Sequence, residues 1–410
     1  MSTENLSTSD LLARRSVLGP AYRLFYEEPL RPVRGEDVWL FDDQGRKYLD
    51  AYNNVPVVGH ANPVVVEALA KQAALLNTHT RYLHDSVVAY AERLAALFPK
   101  PLDTVMLTCT GSEANDLALR IVREATGRKG MIVTRNAYHG VTLTLAEMSP
   151  SLQPPADYVR VIDPPSETDD PSVFAQAIEQ AAHALAANGT PVAALMIDTM
   201  FASDGVHLGA NQVLAVAADA IHAQGGLLIA DEVQGGFART GEWWAFQRDD
   251  VVPDIVTLGK PMGNGHPMAG LVVKGALLDN FAKRCRYFNT FGGNTVSSEV
   301  GLAVLRELER MDAPAHTARV GHLLGQALAD LQAKYPVIDQ LRGKGLYWGV
   351  QFAEPKHAVE VVNRARQAGV LINASGIRGD SLKIRPPLTF QAEHVALLIS
   401  ALDNACRQLR

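Results

Sequence analysis

The sequence predicts an α/β protein built on a mostly parallel sheet with flanking helices. Two observations carry this reading. Through the middle of the chain, short apolar runs alternate with amphipathic stretches, as strand–helix repeats do. The two ends differ: a hairpin pattern comes first, and helices around a strand-rich patch come last. At about 150 residues per domain, 410 residues suggest two or three domains. A large central domain is expected over 60–300, with 1–59 and 301–410 combining into a smaller one.

Taken in order, Val38–Asp42, Gln44-Gly45 and Lys47–Ala51 predict two strands around a turn. Central strands are expected at Val105–Cys109, Gly130–Thr134, Val192–Ile197, Leu227–Ala230, Asp254–Leu258 and Gly270–Val273. The clearest helix follows Gly111-Ser112. Its apolar residues Ala114, Leu117, Ala118, Ile121, Val122 and Ala125 recur at three- and four-residue spacing. Ser112 is its expected N-cap and Gly127 its expected C-cap. Beyond, Gly301–Leu308 and Arg319–Lys334 predict helices, Leu346–Phe352 and Leu382–Ile384 strands, and Ala392–Leu409 a last helix.

Composition narrows the function. Hydrophobic residues make up 47% and charged residues 20%, enough for a large core. Thirty-eight basic against 44 acidic residues leave a net charge of -6, which favours no nucleic-acid partner. Cys109, Cys285 and Cys406 lie far apart, so neither a disulfide framework nor a zinc knuckle is expected. His60, His79, His84, His139 and His266 match no metal-ligand spacing, so no metal is expected. The polar start lacks the apolar core of a secretory signal, and no apolar run approaches the ~18 residues of a membrane span. The expectation is a cytoplasmic protein that engages no membrane.

Open parallel sheets bind ligands beyond the carboxyl ends of their strands, so candidate chemistry is expected there. Thr110-Gly111-Ser112-Glu113 opens a helix, where free amides and the helix dipole favour an anion. Alone, it also fits an ordinary strand-to-helix turn. Asp231 ends another strand and must be solvated, paired or ligand-bound; alone, it also fits a helix-capping acid. The chain has 11 lysines against 27 arginines, and Lys260 stands out by following a buried strand and preceding a glycine loop. Desolvation there lowers its pKa and bares a nucleophilic amine, although an isolated lysine is more often structural. Tyr138 offers either core packing or a plate for a planar ligand, and Tyr287–Asn294 either a loop or an anion clamp. Together these features fit one ligand, a phosphorylated pyridine aldehyde. Its phosphate takes the helix start, its ring lies under Tyr138, its nitrogen meets Asp231, and Lys260 holds it as a Schiff base.

With GSEAND (111–116), NAYHG (136–140), ADEVQ (230–234), PDIVTLGK (253–260) and NTFGGN (289–294), the chain resembles the class III aminotransferases. These are pyridoxal-phosphate enzymes of fold type I. The resemblance runs from the Val38–Tyr48 hairpin to Leu409 and implies a seven-stranded, mostly parallel sheet plus a smaller α+β domain. It implies Gly111 and Ser112 at the phosphate, Tyr138 and His139 at the ring, Asp231 at its nitrogen and Gln234 at its hydroxyl. Lys260 is the implied Schiff-base lysine, and Thr290 reaches the phosphate of a neighbouring subunit's cofactor. A homodimer with shared sites follows, with tetramers left open.

Within the class, NNVPVVGHANP (53–63), LLNTHTRYLHD (75–85), VPDIVTLGKPMGNGHP (252–267) and YFNTFGGN (287–294) are similar to the ethanolamine-phosphate phospho-lyases and the related phosphohydroxylysine phospho-lyases. That likeness implies elimination, with O-phosphoethanolamine giving acetaldehyde, ammonia and phosphate. Arg81, Arg385 and Asn53 are the expected substrate residues. Arg81 equally fits an interface salt bridge. Arg385 matches the position where class III aminotransferases hold a carboxylate, which keeps an ω- or 4-aminobutyrate-type aminotransferase as the alternative. A non-enzymatic subunit with the same fold is a third reading, opposed by the presence of Lys260 and Asp231.

Overall fold

The computed structural model describes residues 7–409. Near the start, β1 (Pro32–Glu36), β2 (Trp39–Asp42) and β3 (Lys47–Asp50) form an antiparallel meander, with Trp39 opposite Leu49 and Phe41 opposite Lys47. The expected hairpin is present, but it has an extra first strand. β1 reads PVRGE, with a proline, a glycine and two charges, so its composition carries little strand propensity. Val38 is buried in the tight turn after Asp37 (φ 51°) and is not part of a strand.

The central sheet has seven strands: β4 (Leu102–Thr108), β5 (Gly130–Thr134), β6 (Val159–Ile162), β7 (Val192–Asp198), β8 (Leu227–Asp231), β9 (Ile255–Leu258) and β10 (Ala269–Lys274). Their order is β4-β10-β9-β8-β7-β5-β6. Only β10 runs against its neighbours. β5, β7 and β9 are buried at every residue because helices cover both faces, which is why they read as continuous apolar runs. β6 escaped the sequence reading: it is a four-residue edge strand, VRVI, with no flanking apolar run.

A third sheet is antiparallel, ordered β11-β12-β15-β14, with β11 (Ile338–Lys344), β12 (Tyr347–Phe352), β14 (Asn373–Ser375) and β15 (Ser381–Ile384). The two-residue β13 (Val370–Leu371) instead joins β3 in parallel, so segments from both chain ends share one sheet.

The helix Gly111–Thr126 corrects one expectation. Its N-cap is Thr110, not Ser112. Thr110 Oγ1 accepts the Glu113 amide at 3.1 Å, and the Glu113 carboxylate accepts the Thr110 amide at 2.9 Å, a reciprocal capping box. Gly127 closes the helix at φ 65°, as expected. The helix expected from Gly301 begins at Thr295, capped by Asn294. Its first two turns are buried on nearly every side, so no amphipathic period marks them. Likewise the helix expected from Arg319 begins at Ala313.

Candidate active site

The carboxyl ends of β4, β5, β7, β8 and β9 converge on one cavity of about 110 Å³, walled by Gly111, Ser112, Tyr138, His139, Asp198, Asp231, Gln234 and Lys260 among others. Six of the sequence-predicted cofactor residues and Lys260 therefore meet, from segments up to 149 positions apart along the chain (111 to 260).

One end of the cavity suits an anion. Thr110 accepts the amides of Glu113 through Oγ1 and of Ala114 through its carbonyl, so the unpaired donors of the first helical turn are Gly111 and Ser112. Space is tight there. A Cβ on Gly140 (φ +143°) would lie 2.5 Å from Ser112 Oγ, and one on Gly111 would lie 3.2 Å from Val233 Cγ2. The Ser112 hydroxyl accepts the Val141 amide at 3.2 Å, which ties the Tyr138 loop to the helix start. Tyr138 is 38% exposed, so its ring is not spent on core packing.

The opposite wall is acidic and buried. Asp231 Oδ2 accepts Asn115 Nδ2 at 2.9 Å and lies 2.8 Å from His139 Nδ1, while Oδ1 accepts the Val233 amide at 3.1 Å. Asn115 also donates to the His139 carbonyl at 2.7 Å, so carboxylate, imidazole and helix are locked together. Next to Asp231 in register stands Asp198, at the end of β7. Burial, then the charge of Asp231, pushes the Asp198 carboxyl up to about 6. Asp198 accepts the Met200 amide at 2.9 Å and Gln234 Nε2 at 2.9 Å.

Lys260 follows β9 in a strained backbone, φ 20°. Burial first, and the nearby Arg385 guanidinium second, pull its amine below the usual lysine range, while Asp231 and Asp198 pull the other way. The result favours a neutral, nucleophilic amine.

The expected substrate residues are less gathered. Arg385 is buried, its Nη1 donates to Gln234 Oε1 at 2.6 Å, and its Cζ lies 4.6 Å from the Tyr52 ring centroid. Asn53 does not wall the cavity. Its amide nitrogen donates to Asp50 Oδ2 at 3.0 Å, and Asp50 also receives His60 Nε2 at 2.7 Å, so Asn53 holds a turn. Arg81 sits outside, its Cζ 3.7 Å over the Phe288 ring, and Thr290 lies exposed on the same rim.

Three residues at the site escaped the sequence reading. Asp198 carried a usable signal, a carboxylate at the end of an apolar strand run, but that strand was expected to stop at Ile197. Asn115 lay within a quoted motif. Tyr347, whose hydroxyl donates to Gln234 Oε1 at 3.0 Å, comes from the third sheet with no local signal. Among the described residues, no cluster of three or more His, Cys, Asp or Glu could hold a metal, and no helix is long and apolar enough to cross a membrane.

Glycine-lined amides for a phosphate, a carboxylate for a pyridinium and a depressed lysine fit pyridoxal phosphate, and on this sheet they define a fold type I enzyme of that cofactor. The family model for class III aminotransferases matches residues 26–406, and the chain belongs to that family of pyridoxal-phosphate-dependent enzymes. It is 36% identical to the alanine–glyoxylate aminotransferase 2-like protein of Drosophila melanogaster, over 96% of this chain and 86% of that one. It is 32% identical to the ethanolamine-phosphate phospho-lyase homolog 1 of Caenorhabditis elegans, covering 97% and 93%. A solved phospholyase from Arthrobacter, in complex with phosphoethanolamine, superposes with a TM-score of 0.95 at 41% identity, covering 98% of this chain and 100% of that one.

Proposed function

We propose that the protein is a phospho-lyase that expels phosphate from O-phosphoethanolamine or a related phosphorylated amine, giving acetaldehyde, ammonia and inorganic phosphate. The observation that carries this reading is the end-to-end likeness to the Arthrobacter phospholyase. The Caenorhabditis relative supports the same branch.

When bound, pyridoxal phosphate supplies an aldehyde for amines and a cationic ring that accepts an electron pair. Lys260 would hold that aldehyde through Nζ, and its amine, when free, would take the proton from the amine-bearing carbon of the substrate. Asp231, oriented by Asn115 and His139, keeps the ring nitrogen protonated. Gly111 and Ser112 would take the cofactor phosphate, Tyr138 and His139 would flank the ring, and Gln234 would meet its hydroxyl. As the C–O bond of the substrate breaks, its electron pair leaves with the phosphate. The remaining two-carbon fragment adds water to yield acetaldehyde and ammonia. Arg81, which lies outside its own cavity, would neutralise the phosphate departing from a neighbouring subunit's site.

The reading includes a homodimer. Leu83 is 99% exposed, Leu143 79%, Phe291 69% and Tyr82 65%, large apolar side chains that a second copy would cover. Thr290 adjoins Phe291 and Arg81 lies two positions from Leu83, so in such a dimer both would complete the neighbouring site.

A second reading, an aminotransferase, is favoured by the Drosophila relative and by an arginine at position 385. Incubation with O-phosphoethanolamine and no keto acid separates the two. Stoichiometric phosphate and acetaldehyde are expected; amine-form cofactor without phosphate would establish the transferase instead.

A further inference from the structure

Gln234 is bonded as fully as Asp231, with three side-chain hydrogen bonds. Two donors converge on its carbonyl oxygen: the Tyr347 hydroxyl at 3.0 Å and Arg385 Nη1 at 2.6 Å. Its amide nitrogen donates to Asp198 Oδ2 at 2.9 Å. A flipped amide would set its NH₂ against a guanidinium and a phenol, and its oxygen against a carboxylate. The orientation is therefore fixed by chemistry. One Nε2 hydrogen is spent on Asp198, and the other is left over on a residue that walls the cavity.

Tyr347 is placed with equal firmness. It opens β12, paired with Lys344 across a hairpin whose Leu346 amide donates to the Arg239 carbonyl at 3.0 Å. Its ring is fully buried among Met200, Ala202, Val206 and Ala245. Burial pushes the phenol far above its ordinary value, so the hydroxyl stays a donor across the working pH range.

We propose that Tyr347 is a positioning residue: together with Arg385 it fixes and polarises the Gln234 amide so that its remaining Nε2–H is presented to the cofactor's ring hydroxyl oxygen. This rests on the reading above that Gln234 meets that hydroxyl. Donors on an amide oxygen draw charge from the nitrogen and make its N–H a stronger donor. A stronger donor stabilises negative charge on the ring oxygen, which weakens that oxygen's hold on the proton shared with the neighbouring lysine-derived nitrogen. Tyr347 thereby lowers the pH at which the lysine-bound cofactor loses that proton. The same contacts occupy Nη1 of Arg385, which narrows what that guanidinium can offer a substrate carboxylate.

The test is the pH midpoint of the visible absorption of purified holoenzyme, measured without substrate. Tyr347→Phe keeps the ring and removes only the hydroxyl, and the midpoint should rise by about half a pH unit. Gln234→Ala should raise it further, and adding Tyr347→Phe to Gln234→Ala should raise it no more. Packing alone predicts no shift in Tyr347→Phe. Tyr347→Leu removes the hydroxyl in a different shape and should shift the same way, so either Tyr347 variant that folds decides. A shift in Gln234→Ala alone overturns this inference and leaves the placement of Gln234 standing. A shift in neither residue's variants overturns both.

Discussion

The two sides of the cavity are built differently. On the cofactor side the key side chains are tied into the protomer: Asp231 takes three bonds, Gln234 takes two and gives one, and the Gly111 helix is capped reciprocally. On the rim, by contrast, Arg81 stacks on a partly exposed Phe288 and Thr290 faces solvent beside exposed Leu83 and Phe291. The lesson concerns completeness. One protomer preorganises a place for a charged heterocycle, while its rim exposes more large apolar surface than a finished site needs.

Removing the amine tests the finished side most severely. Lys260→Ala should cut phosphate release by about 10⁴-fold and abolish borohydride fixation of the cofactor, with mass spectrometry of reduced digests as the check. Label at another residue would break the account of that side. The rim responds next. Leu83→Asp with Phe291→Asp would place charges twice in the proposed two-fold interface and should weaken self-association by roughly 10²-fold in sedimentation equilibrium. Unchanged association would mean that the rim faces solvent.

Glu232 offers a smaller test of how tightly the finished side is held. Its two carboxylate oxygens accept the Ala245 amide (3.0 Å), the Phe246 amide (2.9 Å) and the Thr199 hydroxyl (2.9 Å). Glu232→Gln sets an NH₂ against one backbone donor and should cost about 1–3 kcal/mol at pH 8, read as a lower unfolding midpoint. The smallest effect lies away from both regions, at Asp254 before β9. Burial raises its carboxyl, but bonds from Lys274, His222 and the Leu228 amide outweigh that and hold it below 3.8. A depressed folded-state pKa stabilises the fold above the ordinary carboxylate range, and the benefit disappears as pH falls below it. Asp254→Asn should therefore cost about 1 kcal/mol at pH 7, and the gap to the unsubstituted protein should close below about pH 4. Cofactor binding and self-association should stay unchanged.

Local chemistry made much of this protein legible in its sequence. Six central strands declared themselves as apolar runs, Gly127 as a left-handed C-cap, and Gly111, Ser112, Tyr138, Asp231 and Lys260 as strand-end residues that meet in one cavity. Each of those signals spans a few residues and follows from burial or backbone geometry. Tertiary structure decided what depends on distant segments meeting. β6 and β13 exist only because a neighbouring strand supplies their hydrogen bonds. Asn53 is claimed by Asp50 rather than by the cavity, and Asp198 is perturbed because β7 and β8 pair in register. Gln234 is held by Tyr347 and Arg385, 113 and 151 positions away, and contacts at that separation leave no periodicity for a sequence to display.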